Sequence, residues 1–253
     1  MLPINAKTII GASFLELYEV DSTNIYAIDK VQANLAAHGS VFFTHFQTEG
    51  KGQRGKKWLA QPSANILMSV VIDSSFLLVS QQFALSIMTS LACLSFFKAH
   101  AGNETSIKWP NDLFWRDRKA GGILIENHIK GNNCQYSILG IGINIMQTTF
   151  EPSLEHAVSL KQITGKNYDI VALAKLFCVE LENRYKALLK GGMKQQLEEY
   201  NAVLYKKDCK VMMKKGSQVF HPIIKGVSAN GKLLVNQGFD YEVDFGEVIW
   251  VLP

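Results

Sequence analysis

Three short stretches of this sequence stand out by residue type and spacing, the first two of them suited to handling an anion. The first is Thr48-Glu49-Gly50-Lys51-Gly52-Gln53-Arg54-Gly55-Lys56-Lys57-Trp58, where four cations (Lys51, Arg54, Lys56, Lys57) stand with no acid between Glu49 and Asp73. Glycines let backbone amides approach a ligand and the side chains add positive charge, so the run suits a phosphate or an adenylate. A solvated basic loop has the same composition. Gly50 to Gly55 also fits the G-x-G-x-x-G spacing of dinucleotide-binding folds, between strand-like Val41 to Phe46 and Ile66 to Ile72. That reading needs a crossover helix straight after the glycines, and Lys56 to Asn65 carries Pro62 in its middle and no helical stripe.

The second stretch is Ile107-Lys108-Trp109-Pro110-Asn111-Asp112-Leu113, with Lys119 following beyond a polar turn. Pro110 should interrupt strand pairing and present Asn111 and Asp112 where side chains can face a ligand. An amide and a carboxylate beside phosphate suit Mg²⁺, a hard cation that prefers oxygen; the same three residues also make an ordinary turn. Lys119 precedes Ala120-Gly121-Gly122, where missing side chains would admit a ligand to the backbone; by itself it reads as a solvated surface lysine. The third stretch, Gly140-Ile141-Gly142-Ile143-Asn144, is an apolar strand whose glycines suit tight packing of a sheet against a helix.

The elements that must position these residues form a mixed, α+β pattern. Leu15 to Val20 alternates like a half-buried strand, Asp21-Ser22-Thr23 supplies helix N-cap chemistry, and Asn24 to Leu35 follows as a helix ending near Gly39. A long apolar helix spans about 78–98, strands cover 107–115, 121–127 and 136–145, and helices follow at roughly 154–163, 168–190 and 193–204. From about Lys206 the texture changes to short strands at 210–213, 219–225, 232–236, 241–245 and 248–252, a small β-barrel.

Composition narrows the function classes. With 253 residues and 47% hydrophobic content there is material for one large domain and a small one. A net charge of +4, concentrated locally, argues for a local anionic ligand and against a nucleic-acid surface. The four cysteines and six histidines are scattered without metal-ligand spacing, which predicts reduced thiols and a cytoplasmic protein. The apolar run after Lys7 is short and meets Glu16, so no secretion signal is expected. Ser74 to Phe97 carries no charge and is long enough to span a bilayer; its serines, threonine and glutamines favour a buried core helix, and no membrane partner is expected.

The order of the clusters closely resembles the biotin protein ligase family: Asp21-Ser22-Thr23-Asn24, then Gln47 ahead of the Gly-Lys-Gly-x-x-Gly-x-x-Trp loop, Lys-Trp-Pro-Asn-Asp-Leu, Lys-x-Gly-Gly-Ile-Leu-Ile-Glu and Gly-Ile-Gly-Ile-Asn. The resemblance implies a class II synthetase-like mixed sheet backed by helices over 1–205 and an SH3-like barrel over 206–253. It implies ATP and biotin as substrates, joined with Mg²⁺ as biotinyl-5′-AMP, and transfer to a lysine of a biotin carboxyl carrier protein domain. Lys119, Asp112 and Lys51 would be catalytic. Ser22, Thr23, Asn24, Gln47, Gly50, Lys51, Gly52, Gln53, Lys119 and Gly122 would bind biotin. Arg54, Lys56, Trp58, Asn111, Asp112, Lys119 and Asn144 would bind ATP or the adenylate, with Asn111 and Asp112 holding the metal.

Lys51 and Gln53 stand where many family members have arginine, exchanging a bidentate fork and a charge for a point cation and an amide. That predicts weaker retention of the adenylate. Only 21 residues precede Ser22, too few for the winged helix of repressor-type relatives, so operator DNA is not an expected partner. A homodimer is expected only from the general frequency of such pairs. Lipoate protein ligase, with the same fold and adenylation logic, is the rival enzyme; an oligonucleotide-binding module, suggested by the basic loop and terminal barrel, is the rival of another class.

Overall fold

The computed structural model describes residues 8–251. Seven strands form one mixed sheet in the order β1 (Ser13–Val20), β2 (Ser40–Gln47), β3 (Asn65–Asp73), β7 (Asn133–Asn144), β6 (Arg118–Lys130), β5 (Asp112–Trp115) and β4 (Thr105–Lys108). β1 runs parallel to β2 and every other neighbouring pair is antiparallel. Because β2 and β3 are antiparallel, the glycine loop between them joins a hairpin-like pair and opens no βαβ crossover. Its only helical piece is a single 3₁₀ turn, Gln53–Gly55.

Strand alternation assigns the two faces of the sheet. In β3, Ile66, Met68, Val70 and Ile72 join the large core under α2 (Phe83–Ala101) and α4 (Ile170–Leu189). The intervening Val71 joins a smaller cluster with Phe42, Ile138 and Ala27 of α1 (Thr23–Gln32), on the opposite face. Leu67 and Ser69 share that second face, and the cavity described below lies there. α2 is apolar all round and mostly buried, as a central helix should be.

Beyond α5 (Met193–Ala202) the chain covers the outer edge of β4, where Ile107 N–H donates to Val203 O and Tyr205 N–H to Ile107 O. It then forms two three-stranded antiparallel sheets. One is β13 (Ile249–Val251), β8 (Met212–Lys215), β9 (Gln218–Phe220); the other is β10 (Ile223–Val227), β11 (Leu233–Asn236), β12 (Asp240–Val243). Their inward residues Met213, Ile224, Leu233 and Val243 continue the same apolar cluster as the large sheet.

Several expected elements differ. The strand expected over 107–115 is two strands, β4 and β5, folded back on each other around Trp109 to Asn111, with Lys108 opposite Asp112. The strand expected over 219–225 is likewise two, because Pro222 has no N–H for a ladder. The helix expected over 154–163 is a 3₁₀ turn, Pro152–Leu154, then α3 (Leu160–Thr164), opened by a capping box between Ser159 and Gln162. Its missing middle lies along β6, where Lys119 N–H donates to His156 O at 2.6 Å and Val158 N–H to Lys119 O at 2.9 Å. Ser22 is the α1 N-cap but its hydroxyl caps nothing; Thr23 N–H donates to Gln47 Oε1 at 2.9 Å instead. The last strand, expected over 248–252, is described over Ile249–Val251; Leu252 lies outside the described residues, as does Lys7.

Candidate active site

A cavity of about 60 Å³ opens on the α1 face of the sheet. Ser22, Thr23 and Asn24 reach it from the start of α1, Gln47 from the end of β2, and Lys51, Gly52, Gln53 and Trp58 from the glycine loop. Asn111, Lys119 and Gly122 line the far side. Leu67, Ile123, Leu124, Gly140, Ile141 and Gly142 complete the lining.

The glycines of β6 and β7 are explained by what lies on them. A Cβ on Gly142 would stand 2.6 Å from the Trp58 indole, and one on Gly122 3.0 Å from it. A Cβ on Gly140 would stand 2.4 Å from Asn24 Oδ1. Real Cβ atoms do not approach that closely, so these bare strand positions form a trough for Trp58 and Asn24. The alternation of Gly140-Ile141-Gly142-Ile143 puts the glycines on the cavity face while Ile141 and Ile143 enter the core. Helix packing at Gly140, against Asn24 of α1, is what the strand composition suggested; Trp58 over Gly142 was not legible there.

The loop is closed by its own backbone. Trp58 N–H donates to Gly50 O at 2.8 Å and Gly52 N–H to Lys56 O at 2.7 Å. A Cβ on Gly50 would lie 2.5 Å from Trp58 O. Lys51 and Lys56 are exposed, free to swing toward a ligand. Arg54 points elsewhere: its Nη1 donates to Gly246 O at 2.8 Å and its guanidinium lies over Phe245, both in the terminal sheets. The Trp58 indole N–H is buried without an acceptor among the described residues.

Lys119 Nζ pairs with Asp112 Oδ1 at 2.6 Å and stands 5.7 Å from the Trp58 ring centroid. Asn111 Nδ2 donates to Ile123 O at 2.6 Å, which leaves its Oδ1 as an acceptor. Asn144 is not in the lining. It is buried beneath Lys119, donating from Nδ2 to Val158 O at 3.2 Å and to Lys119 O at 3.4 Å, so it fixes the backbone that carries the lysine.

Lys108 was quoted in the sequence only as part of a motif. Its Nζ lies 5.5 Å from the Phe114 ring centroid and 5.2 Å from that of Trp250, with no ion pair or hydrogen bond among the described residues. Burial lowers its pKa; Asp112 opposes that shift, and Lys119 and Lys56 reinforce it. A cation so placed suits an anionic ligand. Its alternation with buried Ile107 and Trp109 gives only that Lys108 leaves the core; of its two aromatic neighbours, Phe114 comes from the adjacent strand and Trp250 from distant chain.

The comparisons with known proteins agree with this geometry. Residues 16–144 match the Biotin/lipoate A/B protein ligase family. "Bifunctional ligase/repressor BirA" of Escherichia coli (strain K12) is 27% identical over 244 residues, covering 92% of this chain and 74% of that protein. "Biotin--[acetyl-CoA-carboxylase] ligase" of Mycobacterium tuberculosis is 30% identical over 169 residues, 66% of this chain and 61% of that protein. The solved "Biotin protein ligase from Aquifex aeolicus in complex with biotin and ATP" superposes with a TM-score of 0.80 at 22% identity, covering 96% of this chain and 100% of that one. With the matched family spanning the α1 start, the glycine loop, Lys119 and the paired glycine strands, the chain belongs to the biotin/lipoate A/B protein ligase family.

Proposed function

We propose that this enzyme activates biotin with ATP and transfers it to a lysine of a biotin carboxyl carrier domain. The observation that carries the reading is the polar closed end of the cavity. Ser22 is buried, and neither its hydroxyl nor Gln47 Nε2 makes a hydrogen bond among the described residues, while Gln47 Oε1 is already engaged by Thr23. Polar groups that line a cavity and are left open in this way suit a ligand with donors and acceptors. A ureido ring offers both, whereas the dithiolane of lipoate offers neither, and filling this end with it would strand the polar groups.

At the other end Lys51 and Lys119 in the lining, with Lys108 and Lys56 close enough to act on the same charge, would neutralise the repulsion between a carboxylate and the α-phosphate. A carboxylate oxygen of biotin attacks the α-phosphorus, the bond to the bridging oxygen breaks, and pyrophosphate leaves. The acceptor amine then attacks the mixed anhydride's carbonyl carbon and AMP departs. Asp112 holds Lys119 over the reacting phosphate, and its second oxygen is left to orient or deprotonate the incoming amine. Asn111 Oδ1 and that same carboxylate fit Mg²⁺ together with phosphate oxygens, and the ion would supply further charge neutralisation. Trp58 would seal the loop over the anhydride and exclude water. A carrier-domain acceptor is supported by the names of the relatives, and cytoplasmic placement by four free thiols.

The test is biotin-dependent exchange of labelled pyrophosphate into ATP with Mg²⁺. Wild type should exchange with biotin, and Lys119→Ala should lose about 100- to 1000-fold, the usual effect of removing a group that stabilises transition-state charge. Exchange with lipoate and none with biotin overturns the reading.

A further inference from the structure

Five side chains form one connected hydrogen-bond chain, Thr23, Asn24 and Gln47 in the cavity lining and Ser69 and Glu126 behind it. Glu126 Oε2 accepts from Asn24 Nδ2 at 2.6 Å, and Leu124 O accepts from the same nitrogen at 3.3 Å. Both partners can only accept, so the orientation of the Asn24 amide is forced and its Oδ1 faces Ser69. Ser69 Oγ lies 2.5 Å from Asn24 Oδ1 and 2.7 Å from Thr23 Oγ1. A hydroxyl has one proton, and a carbonyl oxygen has none to return, so the Ser69 proton belongs to Asn24. At the opposite end, Gln47 Oε1 is held as an acceptor by Thr23 N–H at 2.9 Å. The Thr23 hydroxyl then has Ser69 Oγ as its inward acceptor at 2.7 Å and Gln47 Oε1, on the cavity wall, as a longer alternative at 3.1 Å. The shorter contact draws the Thr23 proton inward and leaves its lone pairs toward the cavity.

We propose that Glu126 and Ser69 are positioning residues that set this polarity, making Thr23 Oγ1 an acceptor for a ligand N–H. The inference rests on the biotin reading and deepens it: it says why the ring is recognised by its ureido N–H groups. Neither residue touches ligand. Ser69 is fully buried in the middle of β3, and Glu126 stands half-buried on β6. The fold aligns them through one cross-strand row, Ser69 opposite Gly140 and Gly140 opposite Leu124, with Asn24 lying across the bare glycine. A buried chain of this kind holds its direction because reversing one link leaves a donor facing a donor or an acceptor facing an acceptor.

The experiment compares binding of biotin with binding of its cyclic carbonate analogue, in which oxygen replaces both ureido N–H groups, together with binding of ATP. Wild type should prefer biotin by about tenfold or more, the value of one lost hydrogen bond facing an unpaired acceptor. Ser69→Ala and Glu126→Met should each reduce that preference to within about threefold and leave ATP binding unchanged. A merely structural defect would weaken both ligands by the same factor and keep the preference. Retention of the wild-type preference by either variant overturns the relay alone; a wild type that binds no biotin removes the biotin reading and the relay with it.

Discussion

The two ends of the cavity solve opposite problems. Around Thr23, Asn24 and Ser69, which are buried, and half-buried Gln47, side chains are hydrogen-bonded to one another before any ligand arrives. Around Lys51, Lys56 and Lys108, cations stand without ion pairs among the described residues, and Lys119 has the one carboxylate nearby. A neutral ring is distinguished by the direction of its hydrogen bonds, so its end must be rigid and already oriented. A polyphosphate is recognised by charge, which acts over distance and tolerates motion, so its cations can ride on a loop and remain under-neutralised. The difference teaches that preorganisation here is concentrated where the ligand's charge cannot do the work.

Gly142 is where the two ends meet, because the Trp58 that closes the loop rests on it. Gly142→Ala should displace the indole and lower biotin-dependent exchange by about 100-fold, since a misplacement near 1 Å is enough to lose that much. Unchanged exchange would break the comparison by showing that the loop needs no anchor at the rigid end. Lys108→Met keeps the apolar stem against Phe114 and Trp250 and removes the charge. It should raise KM for ATP about tenfold with biotin affinity unaltered; a loss on the biotin side would mean the two ends are not separable.

The smallest effect is expected away from the cavity, at a buried polar cluster with no ligand to serve. His38 Nδ1 accepts from Asp73 N at 3.2 Å and its ring packs on Tyr185. Burial lowers its pKa from 6.5, only partly offset by Asp73 and Glu182. The unfolded chain then binds more protons as pH falls below 6.5, so the stability that His38 contributes is complete above that value and lost beneath it. His38→Phe should flatten the change in urea midpoint between pH 7.5 and 5.5; a wild type whose midpoint does not move in that window would contradict the assignment.

Much of this organisation was legible along the chain. The apolar run Ile66 to Ile72 gave a strand but not which of its faces turns from the main core, because every position in it is buried. Pro62 and the missing helical stripe disposed of the dinucleotide look-alike, and the antiparallel pairing of β2 and β3 agrees. The break at Pro110 was visible, but the hairpin it makes was not, because a proline marks where pairing stops and not where the chain turns next. The segment 154–163 read as helix because its composition permits one; pairing with β6 overrode a weak local preference. Arg54 looked equivalent to its neighbouring cations, since nothing local announces that the carbonyl of Gly246 will take it.

The sequence by itself determined which residues could do chemistry, in what order they come, and which strand positions are bare. Those properties are local: side-chain type, glycine, proline and the period of apolar residues fix them without reference to distant chain. The tertiary structure alone decided that Asn144 supports Lys119 from below, that Lys108 stands against Trp250, and that Glu126 addresses Thr23 through Asn24 and Ser69. Each depends on a pairing between residues far apart in sequence, and the direction of a hydrogen bond exists only once both partners are in place.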